Sequence, residues 1–152
     1  MENLVSAAIV SSFNAKLIDY LRVDVAIVGG GPSALVAAKY LADAGVKTAI
    51  FERKLAPGGG TWGGGMLFNE AVVQRDALEI LDDFGIGTQE IATAPGFFTL
   101  DTVEMASGLI FGALKSGAKV FNAMSVEDVV FKNGEIGGLV VNWTGETGTQ
   151  TA

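Results

Sequence analysis

The chain of 152 residues contains no cysteine and no histidine. Without cysteine there is no disulfide, no thiolate nucleophile and no sulfur-ligated metal cluster. Without histidine, the usual general base near neutral pH and the commonest transition-metal ligand are both missing. Chemistry within these residues is left to carboxylates, lysine, tyrosine or a bound cofactor. Positive charge is also scarce: ten Lys and Arg against seventeen Asp and Glu give a formal net charge of −7. Such a surface repels phosphodiester backbones, which argues against nucleic acid as a partner. Long hydrophobic runs are lacking too. The apolar stretch Val25–Ala38 is broken by three glycines and a proline, short of the roughly 20 apolar residues a membrane helix needs. The start, Met1-Glu2-Asn3, has none of the basic character of a secretory signal, so a cytoplasmic location is expected.

Apolar residues are plentiful at 49%, which excludes a disordered chain, and glycine is abundant at 21 residues. Val5, Ala8, Ile9, Phe13, Leu17 and Tyr20 recur at helical spacing and predict an amphipathic helix over residues 1–22, fit to cover a sheet edge or a partner subunit. Residues 23–152 read as a dinucleotide-binding domain. Val23–Val28 is a β-branched strand, Gly29-Gly30-Gly31-Pro32 a turn, and Ser33–Ala44 a helix ended by Gly45. Lys47–Phe51 is a second strand, parallel to the first if the helix crosses between them. Further along, Glu70–Phe84 has helical character, while Thr88–Leu100 is extended and turn-rich. Asp101 and Glu104 form an Asp variant of the capping box before a helix closed by Gly117. Ala118–Asn122 is a third strand. Val126–Phe131 and Glu135–Trp143 flank Asn133-Gly134, a hairpin signal. Thr144–Ala152 is polar and aperiodic. The expected architecture is a three-layer, Rossmann-like α/β domain with a mainly parallel sheet and a β-hairpin excursion.

The motif that carries chemistry is Gly29-x-Gly31-x-x-Ala34, directly after a strand and opening a helix. Gly29 permits the tight turn, Gly31 lets a pyrophosphate approach the backbone, and the small Ala34 allows close packing of helix on strand. The helix dipole favours the phosphate charge. Glu52 ends the second strand, roughly 20 residues on, where a carboxylate can accept from both ribose hydroxyls. Arg53 beside it could instead accommodate a 2′-phosphate. The segment Gly58–Gly65 has six glycines in eight residues and cannot be ordinary helix or strand. Trp62 within it speaks against a mere linker and for a loop that contacts ligand. Asp24, Asp76, Asp82, Asp83, Glu127 and Asp128 have no spacing that singles them out as acids or metal ligands.

Together, DVAIVGGGPSALVAA, FERKLAPGGGTWGGGMLF, FNAMSVEDVV and the closing NWT resemble the thiamine thiazole synthase family, over Val23 to Thr144. The first block is shared with many flavoproteins, whereas Glu-Arg followed by GGGxWGGG is more specific. The resemblance implies an FAD/NAD(P)-binding fold of the glutathione-reductase type. It also implies an enzyme that consumes NAD as a substrate, with glycine and a sulfur source, to make an adenylated thiazole. Some archaeal relatives carry a ribose 1,5-bisphosphate isomerase label. By the same resemblance Ser33 would contact the nucleotide phosphates, Glu52 and Arg53 would sit at the adenosine ribose, Gly60 would approach through its backbone, and Val126 would line the adenine pocket. Relatives take sulfur from their own cysteine, or from sulfide with Fe(II) held by Asp and His, all in a second half beyond the NWT stretch. The expectation for this chain is therefore the nucleotide-binding half of the family, with the sulfur-transfer half absent and the edge of the first strand bare and prone to self-association. Full-length relatives are implied to be homo-oligomers, with the N-terminal helix as a contact. Two other readings remain open: an FAD-dependent oxidoreductase with Trp62 near the flavin, and a non-catalytic nucleotide-binding module.

Overall fold

In a computed structural model, residues 1–144 are described; most of the polar terminal stretch lies outside them. Strand β1 (Val25–Val28), helix α2 (Pro32–Asp43) and strand β2 (Thr48–Glu52) follow helix α1 (Glu2–Asp19). β1 and β2 pair in parallel, Val25 opposite Thr48 and Val28 opposite Phe51, so the expected βαβ unit is present. Strand β3 (Glu70–Gln74), helix α3 (Leu78–Asp83), the short β4 (Gln89–Glu90) and β5 (Phe97–Asp101) come next. Helix α4 (Thr102–Lys115), β6 (Lys119–Asn122), β7 (Met124–Lys132) and β8 (Glu135–Trp143) complete the order.

The parallel sheet runs β1-β2-β6, with Phe51 opposite Phe121. Its strands alternate sides. Ile50 packs with Leu35 and Ala38 of α2, Leu109 and Ala113 of α4, and Leu81 of α3. Ala49 and Phe121 turn the other way, against Phe13 and Leu17 of α1, Tyr20 at its C-terminal cap and Val141 of β8. The layers are thus α2 and α4, then the sheet, then α1 with the β7-β8 hairpin. Phe121, only 1% exposed, is the centre of an aromatic group. Phe51 stacks on it at 5.4 Å between centroids, and Phe13 meets it edge-on at 6.4 Å. The stripe Phe13, Leu17 and Tyr20 is the part of the expected apolar face of α1 that reaches the sheet. Leu4, Val5, Ile9 and Val10 are exposed.

The segment Glu70–Phe84 differs from the expected helix. Its first five residues are strand β3, paired antiparallel to β5 with Val72 opposite Thr99, and only Leu78–Asp83 is α-helix. Exposure alternates residue by residue along Glu70–Gln74, the period of a strand. The β-branched pair Val72-Val73 suits that pleated surface. With β4 this makes a second, antiparallel sheet in the order β3-β5-β4, an excursion additional to the hairpin.

Punctuation residues behave as their chemistry dictates. Asp101 caps α4, its Oδ1 accepting from the N–H groups of Val103 and Glu104 at 2.7 and 2.9 Å. The reciprocal half of the capping box is not made. Glu104 accepts instead from Gly87 N–H at 2.8 Å, tying the helix start to the loop after α3. Asn133 and Gly134 both adopt positive φ, 53° and 85°, which is the turn demanded of a two-residue hairpin.

Candidate functional site

The parallel strands β1 and β2 end side by side, and the chain beyond each end carries the residues singled out by spacing. Ligands of open α/β sheets bind outside the carboxyl ends of such strands. Gly29 leaves β1 with φ +88°, while its N–H still donates to Phe51 O of β2 at 2.8 Å. That left-handed backbone turns the chain directly from strand to helix at a position where a side chain would be strained. Gly31 is the N-cap residue of α2 in extended conformation, and Pro32 occupies the first helical turn, where its lack of an N–H costs nothing. Open space lies where a Cβ of Gly31 would project. Ser33, in the first turn of α2, is exposed.

Glu52 ends β2 and is 6% exposed, one of the few buried charged or polar residues described. Its Oε2 accepts from Gly30 N–H at 2.5 Å and its Oε1 from Lys54 N–H at 2.8 Å. A buried carboxylate is retained only when it is hydrogen-bonded, and here two backbone amides do this. The acid therefore braces the glycine turn from beneath. Each oxygen keeps further lone-pair capacity for an incoming donor. The middle glycine has its own reason to be glycine. A Cβ on Gly30 would sit 3.1 Å from both Glu52 Oε2 and the Pro57 side chain. Arg53 follows Glu52 into solvent, and its carbonyl accepts from Thr144 Oγ1 at 2.8 Å. Its guanidinium makes no ion pair among the described residues.

The second glycine-rich segment divides in two. Gly58 donates to Gly30 O at 2.7 Å, and Gly59 abuts the first turn so closely that its Cβ would lie 3.2 Å from Gly31 Cα. Gly60 caps the short 3-10 turn Thr61–Gly63 at the surface. Beyond it, Gly64 and Gly65 line a separate hollow with Met66, Phe68 and Val72, away from the first turn. An apolar hollow of about 350 Å³ flanks the start of α2, lined by Pro32, Ser33, Val36, Ile80, Met105 and Leu109 among others; Glu52 and Arg53 are not part of it.

The structure thus brings Gly29, Gly31, Ser33, Glu52 and Arg53 to one end of the sheet, with Gly58 and Gly59 laid against the first turn. Val126 lies on β7, half-buried and paired with Val141, just before a bulge in the hairpin. Spacing gave Gly30 no role beyond membership of the turn, and it did not join Pro57 or Gly58 to that turn. Their only sequence signals are the run of three consecutive glycines and the unusual glycine density after Pro57. Among the described residues no group of three or more Asp, Glu, His or Cys comes together. These residues therefore do not fit the iron implied for full-length relatives. No described helix is long and apolar enough to cross a membrane.

The parallel βαβ unit, the glycine turn and the buried acid define a Rossmann-type α/β protein of the FAD/NAD(P)-binding kind. A geranylgeranyl bacteriochlorophyll reductase-like protein of Thermoplasma acidophilum, 23% identical, shares the fold at a TM-score of 0.59 over 80% of this chain. Much nearer similarities fix the family. Residues 6–149 match the Thi4 family, and the chain belongs to it. It is 54% identical over 144 residues to the thiamine thiazole synthase of Methanococcoides burtonii, covering 94% of this chain and 55% of that protein. The crystal structure of Thermovibrio ammonificans THI4 superposes at a TM-score of 0.90 with 51% identity, covering 95% of this chain and 56% of that one. The chain thus spans just over half the length of the relatives it matches.

Proposed function

We propose that this chain is the nucleotide-binding portion of a thiamine thiazole synthase, and that it holds NAD as a substrate to be converted, with glycine and a sulfur source, into an adenylated thiazole. The observation that carries the reading is the pairing of a buried Glu52 with the glycine turn at the ends of β1 and β2. Placed there, the carboxylate accepts from the adenosine ribose hydroxyls while the first turn of α2, with Ser33, faces the pyrophosphate. The fit is to an adenosine dinucleotide held by backbone N–H groups, which explains how a chain of net charge −7 takes an anionic ligand. In this reading Arg53 orients the ribose from the solvent side, and Gly60 and Val126 border the nucleotide. On the same reading the described residues contribute nucleotide binding, and the assembly is a homo-oligomer. Identity near 50% to thiazole synthases favours this reading over an FAD-dependent oxidoreductase, since the flavoprotein-like neighbours share the fold alone.

The test is mass spectrometry of small molecules released on denaturing the purified protein, followed by calorimetric titration with NAD, NADP and FAD. Release of an adenylated thiazole, or saturable binding of NAD in preference to FAD, is expected. Release of FAD, with a yellow protein, would overturn the assignment.

A further inference from the structure

The two glycine-rich segments touch through a chain of contacts that ends at a tryptophan. Gly58 N–H donates to Gly30 O, and Gly30 N–H donates to Glu52, so the second loop is tied through the first turn to the buried acid. What holds Gly58 in that pose is local. The Trp62 indole N–H donates to Pro57 O at 2.8 Å, spanning the tight segment that contains Gly58. The indole packs directly on Gly58. A Cβ there would lie 2.6 Å from Nε1, and the backbone, at φ +116°, is one that only glycine adopts without strain. The Pro57 ring in turn abuts Gly30. Among the described residues, the N–H groups of Gly59 and Gly60 donate to no protein acceptor, and both follow directly from the clamped residue. Trp62 itself is 39% exposed, so bulk burial does not account for its position.

We propose that Trp62 is a positioning residue of the nucleotide site: its hydrogen bond to Pro57 O and its packing on Gly58 clamp the Pro57–Gly59 segment onto the first glycine turn and hold the free N–H of Gly59 beside it, with that of Gly60 next along the chain. The proposal rests on the nucleotide-binding reading above for its ligand. The clamp does not depend on that reading. Loosened, the loop presents the same groups over many conformations, and the ligand must order them on binding.

Trp62→Phe keeps an aromatic ring over Gly58 but removes the indole donor. Two measurements on the 152-residue protein decide the matter: hydrogen exchange of the Gly58 amide in the ligand-free protein, and affinity for NAD by calorimetry. The Trp62→Phe protein should exchange Gly58 several-fold faster while the amides of α4 keep their rates, which separates a loosened loop from a loosened fold. NAD should bind about 2- to 10-fold more weakly, the range one hydrogen bond supplies. Because the chain has only two tryptophans, Trp143→Phe leaves Trp62 as the sole indole emitter, and its emission should change saturably with NAD. Unchanged exchange and unchanged affinity in Trp62→Phe, with the parent binding NAD, overturn the proposal and leave the nucleotide reading standing. Faster Gly58 exchange in a protein whose parent binds no NAD removes the nucleotide reading and its ligand role for Trp62, leaving the clamp as a fold element alone.

Discussion

Truncating Glu52 to alanine tests the double duty assigned to that carboxylate. In the intact protein it accepts from Gly30 N–H and Lys54 N–H, at 2.5 and 2.8 Å. Gly30 is buried and Lys54 exposed, so water replaces the acceptor at Lys54 but not at Gly30. The loss at Gly30 is that of a hydrogen bond to a charged group, about 1.5–3 kcal/mol. The buried methylene removed with it adds about 0.8 kcal/mol. The sum, roughly 2–4 kcal/mol, is a large part of the roughly 5–15 kcal/mol that holds a typical domain folded. At about 2–4 °C per kcal/mol for a chain of this size, the melting temperature should fall by roughly 4–16 °C. Glutamine at the same position can turn its oxygen to Gly30 and leave its amide toward the exposed Lys54 N–H, so Glu52→Gln should lose only about 1 kcal/mol. Binding should respond separately. Two ribose hydrogen bonds to a carboxylate, at about 1.5 kcal/mol each, correspond to an affinity loss on the order of 100-fold in the alanine variant. Thermal melts followed by circular dichroism and NAD titrations would measure both effects. An alanine variant that melts within about 1 °C of the parent would refute the bracing role. A lowered melting temperature with unchanged NAD affinity would keep Glu52 in the turn and remove it from the ligand.

Asp101 should make stability fall in acid. Hydrogen bonds from the N–H of Glu104, opposed by desolvation, and from Val103 and the Asn69 side chain hold its carboxyl below the ordinary aspartate range. A carboxyl depressed on folding stabilises fully above the unfolded value, and that contribution is lost as pH falls through the folded one. Asp101→Asn keeps a capping oxygen without a titrating proton, so its melting temperature should decline less between pH 5 and pH 2 (both about) than the parent's; equal slopes would count against the cap. Thr102 is fully buried with its Oγ1 unpaired among the described groups. An unsatisfied buried hydroxyl is costly, so Thr102→Val should be neutral or should stabilise by about 1 kcal/mol in chemical denaturation. A loss of more than about 1 kcal/mol would show that the hydroxyl has a partner.

The sequence by itself determined the elements whose signals are local. Gly29-x-Gly31 after a β-branched run, Asp101 before an apolar helical period, and Asn133-Gly134 between two strands each act through the backbone of a few neighbours, so their chemistry is legible without the fold. The acid at Glu52 was legible for the same reason, by its distance along a βαβ unit of standard length. Tertiary structure decided the rest. Val72 and Val73 sit in a segment with helical character, and only pairing with Thr99 and Phe98 makes it a strand. Glu104 had a capping partner three residues away and took Gly87 instead, because α4 packs beside that loop. No spacing could show that Glu52 would spend its oxygens on Gly30 and Lys54, or that Gly58 would reach back to Gly30. The two bonds that reach Gly30 span 22 and 28 residues and exist only because parallel strands deliver both loops to one end of the sheet. Local propensity writes turns and caps into the chain; long-range pairing, settled by which faces are buried, chooses what they hold.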